Sequence, residues 1–105
     1  MDEPLQVGDL VVDAQTYSLV QVCMICGATT EWVIALVSFG IVVPEGDQPA
    51  LWRFSEREVH RAKKALRLHR DLGLDHQGLA MSLELLDEID RLRVLVAKLR
   101  AGSDS

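Results

Sequence analysis

The sequence predicts a mostly α-helical chain with a small β wing: a winged helix-turn-helix followed by a long C-terminal helix that forms a dimerisation coiled coil. Three observations predict it. Two short apolar segments, 19–26 and 31–39, are each preceded by a hydroxyl residue and followed by a glycine, and Gly27-Ala-Thr-Thr30 joins them, which fits a helix-turn-helix. The β-rich pieces Ile41-Val-Val43 and Leu51-Trp-Arg-Phe54 flank a loop from Pro44 to Ala50 that holds one glycine and two prolines, as a hairpin wing would. From Gln77 to Arg100 the apolar residues keep a helical spacing. Residues 1–75 are therefore expected to form the winged helix-turn-helix-like domain and residues 76–105 the C-terminal dimerisation helix and tail, together one structural unit. At 105 residues the chain supports a single domain with a modest core.

Each element has its own signal. Asp9-Leu-Val-Val-Asp13 follows a glycine and sets β-branched residues between polar ends, so it reads as a short strand. Ser18 can cap a first helix that carries Leu19, Val22, Cys23 and Cys26 on one side and stops at Gly27. Thr29 or Thr30 caps the second, which turns Val33 or Leu36 and Val37 inward and ends at Gly40. Ser55-Glu-Arg-Glu58 matches a capping box, so a third helix starts at Glu56 and runs to Leu72. Its inward residues are Val59, Ala62, Leu66 and His69, and its outward ones Arg57, Arg61, Lys64 and Arg67. Gly73 breaks it and Asp75 can cap the next.

In the last helix the period changes. Leu79, Leu83 and Leu86 fit a face packed on the domain, whereas Leu85, Ile89, Leu92, Val96 and Leu99 step by four, three, four and three as in a coiled coil. So short a seam is marginal alone in water, so a homodimer closed by this helix, with the partner helix antiparallel, is expected. The competing reading folds the helix back on its own domain. Ala101–Ser105 reads as a frayed tail.

Charge is divided unevenly. The first Lys or Arg is Arg53, although Asp2, Glu3, Asp9, Asp13, Glu31, Glu45 and Asp47 precede it, and residues 53–105 hold all eleven Lys and Arg against nine carboxylates. A helix that reads a DNA groove needs cations toward the phosphates and Arg, Lys, Asn or Gln toward the bases. The second helix has none of these, and its sole charge is Glu31. The scaffold of a DNA reader is thus expected to bind a basic polypeptide instead. The row Arg53, Arg57, Arg61, Lys64 and Arg67 keeps backbone binding to DNA as the alternative. No run reaches the length of a membrane span, and the N-terminus has no basic and apolar leader pattern. Two cysteines without an export signal point to a reducing cytosol.

Little in the chain carries chemistry. Cys23-Met-Ile-Cys26 has the spacing of a zinc or redox pair, but there is no second pair, and His60, His69 and His76 are scattered along later helices. On an apolar helix side the thiols behave as small hydrophobes. His69 and His76 bracket Asp71 and Asp75, an arrangement that could suit a general base, yet no nucleophile, phosphate loop or paired-carboxylate signature accompanies them. The reading is a non-enzyme that uses no cofactor and no metal.

With these residues assembled, the chain resembles the CbpM family of bacterial chaperone-modulatory proteins, built on a MerR-like winged helix-turn-helix. The likeness runs from Leu10 to the last helix. It rests on Val22-Cys23 and Gly27, on Phe39-Gly-Ile-Val-Val-Pro44 and Leu51-Trp-Arg-Phe54 about the wing, and most specifically on residues 65–75 followed by residues 78–89. MerR regulators share the Leu-Gly-Leu layout, and the missing cations separate the two. The resemblance implies a protein of the bacterial cytoplasm, nucleoid-associated through its partner. It would bind the J-domain of the DnaJ-like co-chaperone CbpA and block stimulation of the Hsp70 DnaK by covering the Hsp70-binding face. The contact residues expected are Glu31 and Trp32 on the second helix and Glu45, Asp47 and Trp52 on the wing, which join negative charge to aromatic anchors. Two have rival roles: Trp52 can plug the space between wing and third helix, and Glu31 can favour its helix N-terminus. The loop Pro44-Glu-Gly-Asp-Gln-Pro49 and the second cysteine depart from the family pattern.

Overall fold

The computed structural model describes residues 15–104, so the strand expected at Asp9–Asp13 lies outside the described residues. Strand β1 (Thr16–Tyr17) leads into α1 (Leu19–Cys26). The start of α1 is fixed by a reciprocal cap: Gln21 N–H donates to Ser18 Oγ at 3.2 Å and Ser18 N–H to Gln21 Oε1 at 2.8 Å. Gly27, at φ 69°, ends it with an N–H to Cys23 O bond of 2.8 Å. Helix α2 (Thr30–Ser38) begins at Thr29, whose hydroxyl accepts the Trp32 N–H at 3.1 Å. The chain bends by 110° between the two helices, within the range of a helix-turn-helix.

The wing differs from the expected hairpin. Ile41 and Val42 are buried as core plugs and form no strand. One bridge closes the wing, with Glu45 N–H to Arg53 O at 3.0 Å and Arg53 N–H to Glu45 O at 2.9 Å. Pro44 has no N–H to extend it, Val43 N–H is taken by Glu58 Oε1 at 2.8 Å, and Pro49–Leu51 turns as a 3₁₀ helix. Strand β2 (Phe54–Ser55) pairs antiparallel with β1, Thr16 opposite Ser55 and Tyr17 opposite Phe54.

Helix α3 (Glu56–Leu72) is the hub, touching α1, both strands and α4 (His76–Asp104). Only half of its expected capping box forms. Glu58 N–H donates to Ser55 Oγ at 3.3 Å, but the Glu58 carboxylate reaches away to Val43. Val59, Ala62 and Ala65 are its buried residues. His69, expected inward, is exposed, its ring against Trp32 and its Nδ1 on the Leu74 carbonyl at 2.7 Å. Arg61, expected outward, turns in to donate through Nε to the Ile41 carbonyl. Both differ because a partner on another segment overrides the helical period.

Asp75 Oδ1 accepts Gly78 N–H at 2.8 Å and opens α4. Leu79 and Leu83 are fully buried and Leu86 half-buried, and burying each leucine contributes about 1.5–3 kcal/mol. From Asp87 to Gly102 every residue is exposed, so the helix is not folded back on its domain. It also continues through the residues expected to fray, as far as Asp104.

Candidate partner-binding surface

Helix α2 carries the first group of expected contact residues. Val33 and Leu36 are fully buried, which turns Glu31 outward in the first turn, where a carboxylate favours the helix N-terminus. Trp32 is half-buried. Its ring centroid lies 5.0 Å from that of His76 and 5.7 Å from that of His69, and Phe39 stacks on His76 at 5.7 Å and 22°. His76 Nε2 faces the Trp32 carbonyl at 3.3 Å. A carbonyl can only accept, so His76 carries a proton on Nε2 and His69 one on Nδ1. These rings fasten α2 to the junction of α3 and α4.

The wing carries the second group. Glu45 and Asp47 are exposed on either side of Gly46. That glycine has φ 118°, and a Cβ there would sit 2.6 Å from the Leu51 carbonyl oxygen, so the tip admits no side chain. Trp52 is half-buried and edge-on to the buried Phe54, at 6.0 Å and 87°. The five residues thus fall into two clusters, Glu31 and Trp32 by the helix junction and Glu45, Asp47 and Trp52 on the wing. Among the described residues no ring contact, hydrogen bond or ion pair joins one cluster to the other.

The cationic row is partly consumed inside the molecule. Arg53 donates from Nε to Thr16 Oγ1 at 3.1 Å and from Nη2 to Thr16 O at 3.2 Å. Arg61 holds Ile41 O and, through Nη1, Asp87 Oδ1 at 3.0 Å. Arg57 and Arg67 stay exposed and Lys64 half-exposed. Cys23 and Cys26 are free thiols. Cys26 is buried, and that burial raises its pKa, with Lys63 opposing and Cys23 adding to the shift. Among the described residues no three His, Cys, Asp or Glu side chains converge as a metal site.

A family model described as MerR HTH family regulatory protein matches residues 17–101. The Chaperone modulatory protein CbpM of Pseudomonas entomophila is 41% identical over 71 residues, covering 68% of this chain and 70% of that protein. Those of Salmonella arizonae and Salmonella newport are each 37% identical over 78 residues, covering 74% of this chain and 77% of theirs. The chain belongs to the MerR-type CbpM family.

Two apolar surfaces of this CbpM-family chain stand out beyond the five expected contact residues. On α1, Val20 and Met24 are 64% and 76% exposed and lie one turn apart. The signal was in the sequence: the helix Leu-Val-Gln-Val-Cys-Met-Ile-Cys has no charged residue, so burying one side leaves apolar groups on the other. On α4, the expected seam residues Leu85, Ile89, Leu92, Val96 and Leu99 are all exposed, together with Val94 and Leu95. The seam lies about a third of a turn round the helix from the buried face of Leu79 and Leu83, at about 100° per residue. No single helix among the described residues is long and apolar enough to cross a membrane.

Proposed function

We propose that this CbpM-family protein is a chaperone modulator that binds the J-domain of a DnaJ-like co-chaperone, CbpA, and inhibits its stimulation of the Hsp70 DnaK by occluding the Hsp70-binding face. The observation that carries the reading is the charge of α2. In a winged helix-turn-helix this helix enters the major groove, and here its one charged side chain is the exposed Glu31. Phosphate repels it, and a basic helix of a protein partner does not. The wing adds the exposed Glu45 and Asp47, and α1 of the same module adds Val20 and Met24 as apolar contact area. Trp32 and Trp52 serve the contact by the edges they leave exposed while their buried sides hold the two clusters in place. Inhibition of this kind is steric and needs no chemistry.

The protein acts as a homodimer in this reading, joined through Leu85, Ile89, Leu92, Val96 and Leu99 of α4. A bare apolar stripe of this length is what a partner helix covers. The test of function is capture of a purified J-domain, run beside a duplex DNA shift at low salt. Capture without a shift supports modulation. A shift without capture restores a MerR-like DNA-binding transcription regulator, for which the exposed Arg57 and Arg67 would be the backbone contacts.

A further inference from the structure

A second surface, opposite in sign to the acidic module, lies between α1 and α3. Lys63, Arg67 and Arg70 stand at four- and three-residue steps along one side of α3, all exposed, and span roughly 10 Å at 1.5 Å per residue. They line a groove of about 410 Å³ with Ile25 and Cys26 of α1 as its opposite, apolar wall and Leu66 of α3 beside the cations. None of their three side chains makes a hydrogen bond or ion pair with another described residue. Asp71 also lines the groove, and its single negative charge offsets only part of the three positive ones.

We propose that this groove is a docking site for an acidic peptide segment of a partner protein, with carboxylates on the Lys63–Arg67–Arg70 row and an apolar side chain against Ile25 and Leu66. Two features select a short acidic peptide over a nucleic acid. The wall opposite the cations belongs to α1, which has no charged residue and no basic side chain to hold a second phosphate strand. The whole chain carries a net charge of −5, which repels an extended polyanion. A short peptide seated within a Debye length of the row, about 8 Å at physiological salt, meets chiefly the local positive field. The protein would then hold a basic partner surface and an acidic segment on different faces at once, the acidic one independently of how the first reading fares.

The test uses the full chain and a fluorescein-labelled helical peptide with Glu and Leu along one face, beside a copy with every Glu changed to Gln and a short duplex DNA. Expected are saturable binding of the Glu peptide that weakens with salt, and binding of the Gln copy weaker by about tenfold or more. The double variant Lys63→Glu/Arg67→Glu should lose the Glu peptide while keeping its helical circular dichroism and its J-domain capture. Arg70 is left in place because it sits in the last turn of α3, where a cation favours the helix end. Ile25→Ser should weaken the peptide about tenfold without changing the salt slope. Equal binding of the Glu and Gln peptides, no binding of either, or a DNA shift that the double variant abolishes would overturn the proposal.

Discussion

Arg61 and Asp87 face each other at 3.0 Å across the angle between α3 and α4, and Arg61 spends its Nε on the carbonyl of Ile41, just past α2. One guanidinium therefore ties together the end of the helix-turn-helix, the central helix and Asp87, where the arm leaves the domain. The two partners are unequal, with side chains 22% and 53% exposed. Arg61→Ala should cost about 1–3 kcal/mol because it also strands a part-buried carbonyl, whereas Asp87→Ala should cost at most about 1 kcal/mol. Urea unfolding at one fixed protein concentration measures both, and equal losses would show that the Ile41 contact contributes nothing.

The arm is the clearest candidate for self-association. Sedimentation should give a dimer for the full chain and a monomer for a chain ended at Asp87, which keeps the buried Leu79 and Leu83. Ile89→Glu/Leu92→Glu should weaken the dimer by about a hundredfold or more, since each change removes a leucine-sized burial and adds a charge to the seam. Monomeric full-length protein at micromolar concentration would end the dimer proposal.

Caps, glycines and leucine spacing made the helices legible, because Ser18, Thr29, Ser55 and Asp75 each accept the backbone N–H that their position implied. The change of face along α4 was legible for the same reason: Leu79 and Leu83 bury and Leu85 does not. What the sequence hid was long-range pairing. Nothing near Val43 says that its amide is held by Glu58, nothing near Ser55 says that its strand partner is Thr16, and nothing in the period of α3 turns Arg61 inward. At the candidate surface the charges of Glu31, Glu45 and Asp47 were readable as exposed. The clamping of Trp32 between His69 and His76 was not, since those residues meet only after α3 and α4 have packed.

Gly46 tests the wing. With φ 118° and the Leu51 carbonyl oxygen 2.6 Å from the place of a Cβ, Gly46→Ala must move the tip and strain the Glu45–Arg53 bridge. The expected loss is about 1–2 kcal/mol of stability, with amide exchange of Glu45 and Arg53 accelerated while α3 stays protected. Unchanged exchange at those two amides would mean that the bridge does not depend on the turn.

The thiols give a pH prediction. Burial raises the Cys26 pKa above its ordinary value, so the folded protein holds this proton more tightly than the unfolded chain does. The neutral thiol's contribution to stability is then complete below the unfolded pKa and is lost as pH rises through the folded one. Iodoacetamide should label Cys23 before Cys26 at neutral pH, and Cys26→Ala should flatten the alkaline loss of stability that Cys23→Ala only slightly reduces, since Cys23 is the smallest contributor to the shift. Faster labelling of Cys26 would reverse the assignment.

The wing carboxylates test where a basic partner sits. Glu45 and Asp47 are exposed and flank a tip that admits no side chain, so changing their charge should leave the fold untouched. Exposed charges at the rim of a contact act chiefly on the association rate, and salt screens them. Glu45→Lys/Asp47→Lys should therefore weaken J-domain binding by roughly tenfold at low salt, mostly through slower association, and the difference should shrink as salt rises. Met24→Asp on α1 would behave differently, because lost apolar contact speeds dissociation and persists in high salt. If the wing variant binds as tightly as the unaltered protein across the salt series while Met24→Asp does not, the partner lies on α1, and the wing serves only to cover Phe54.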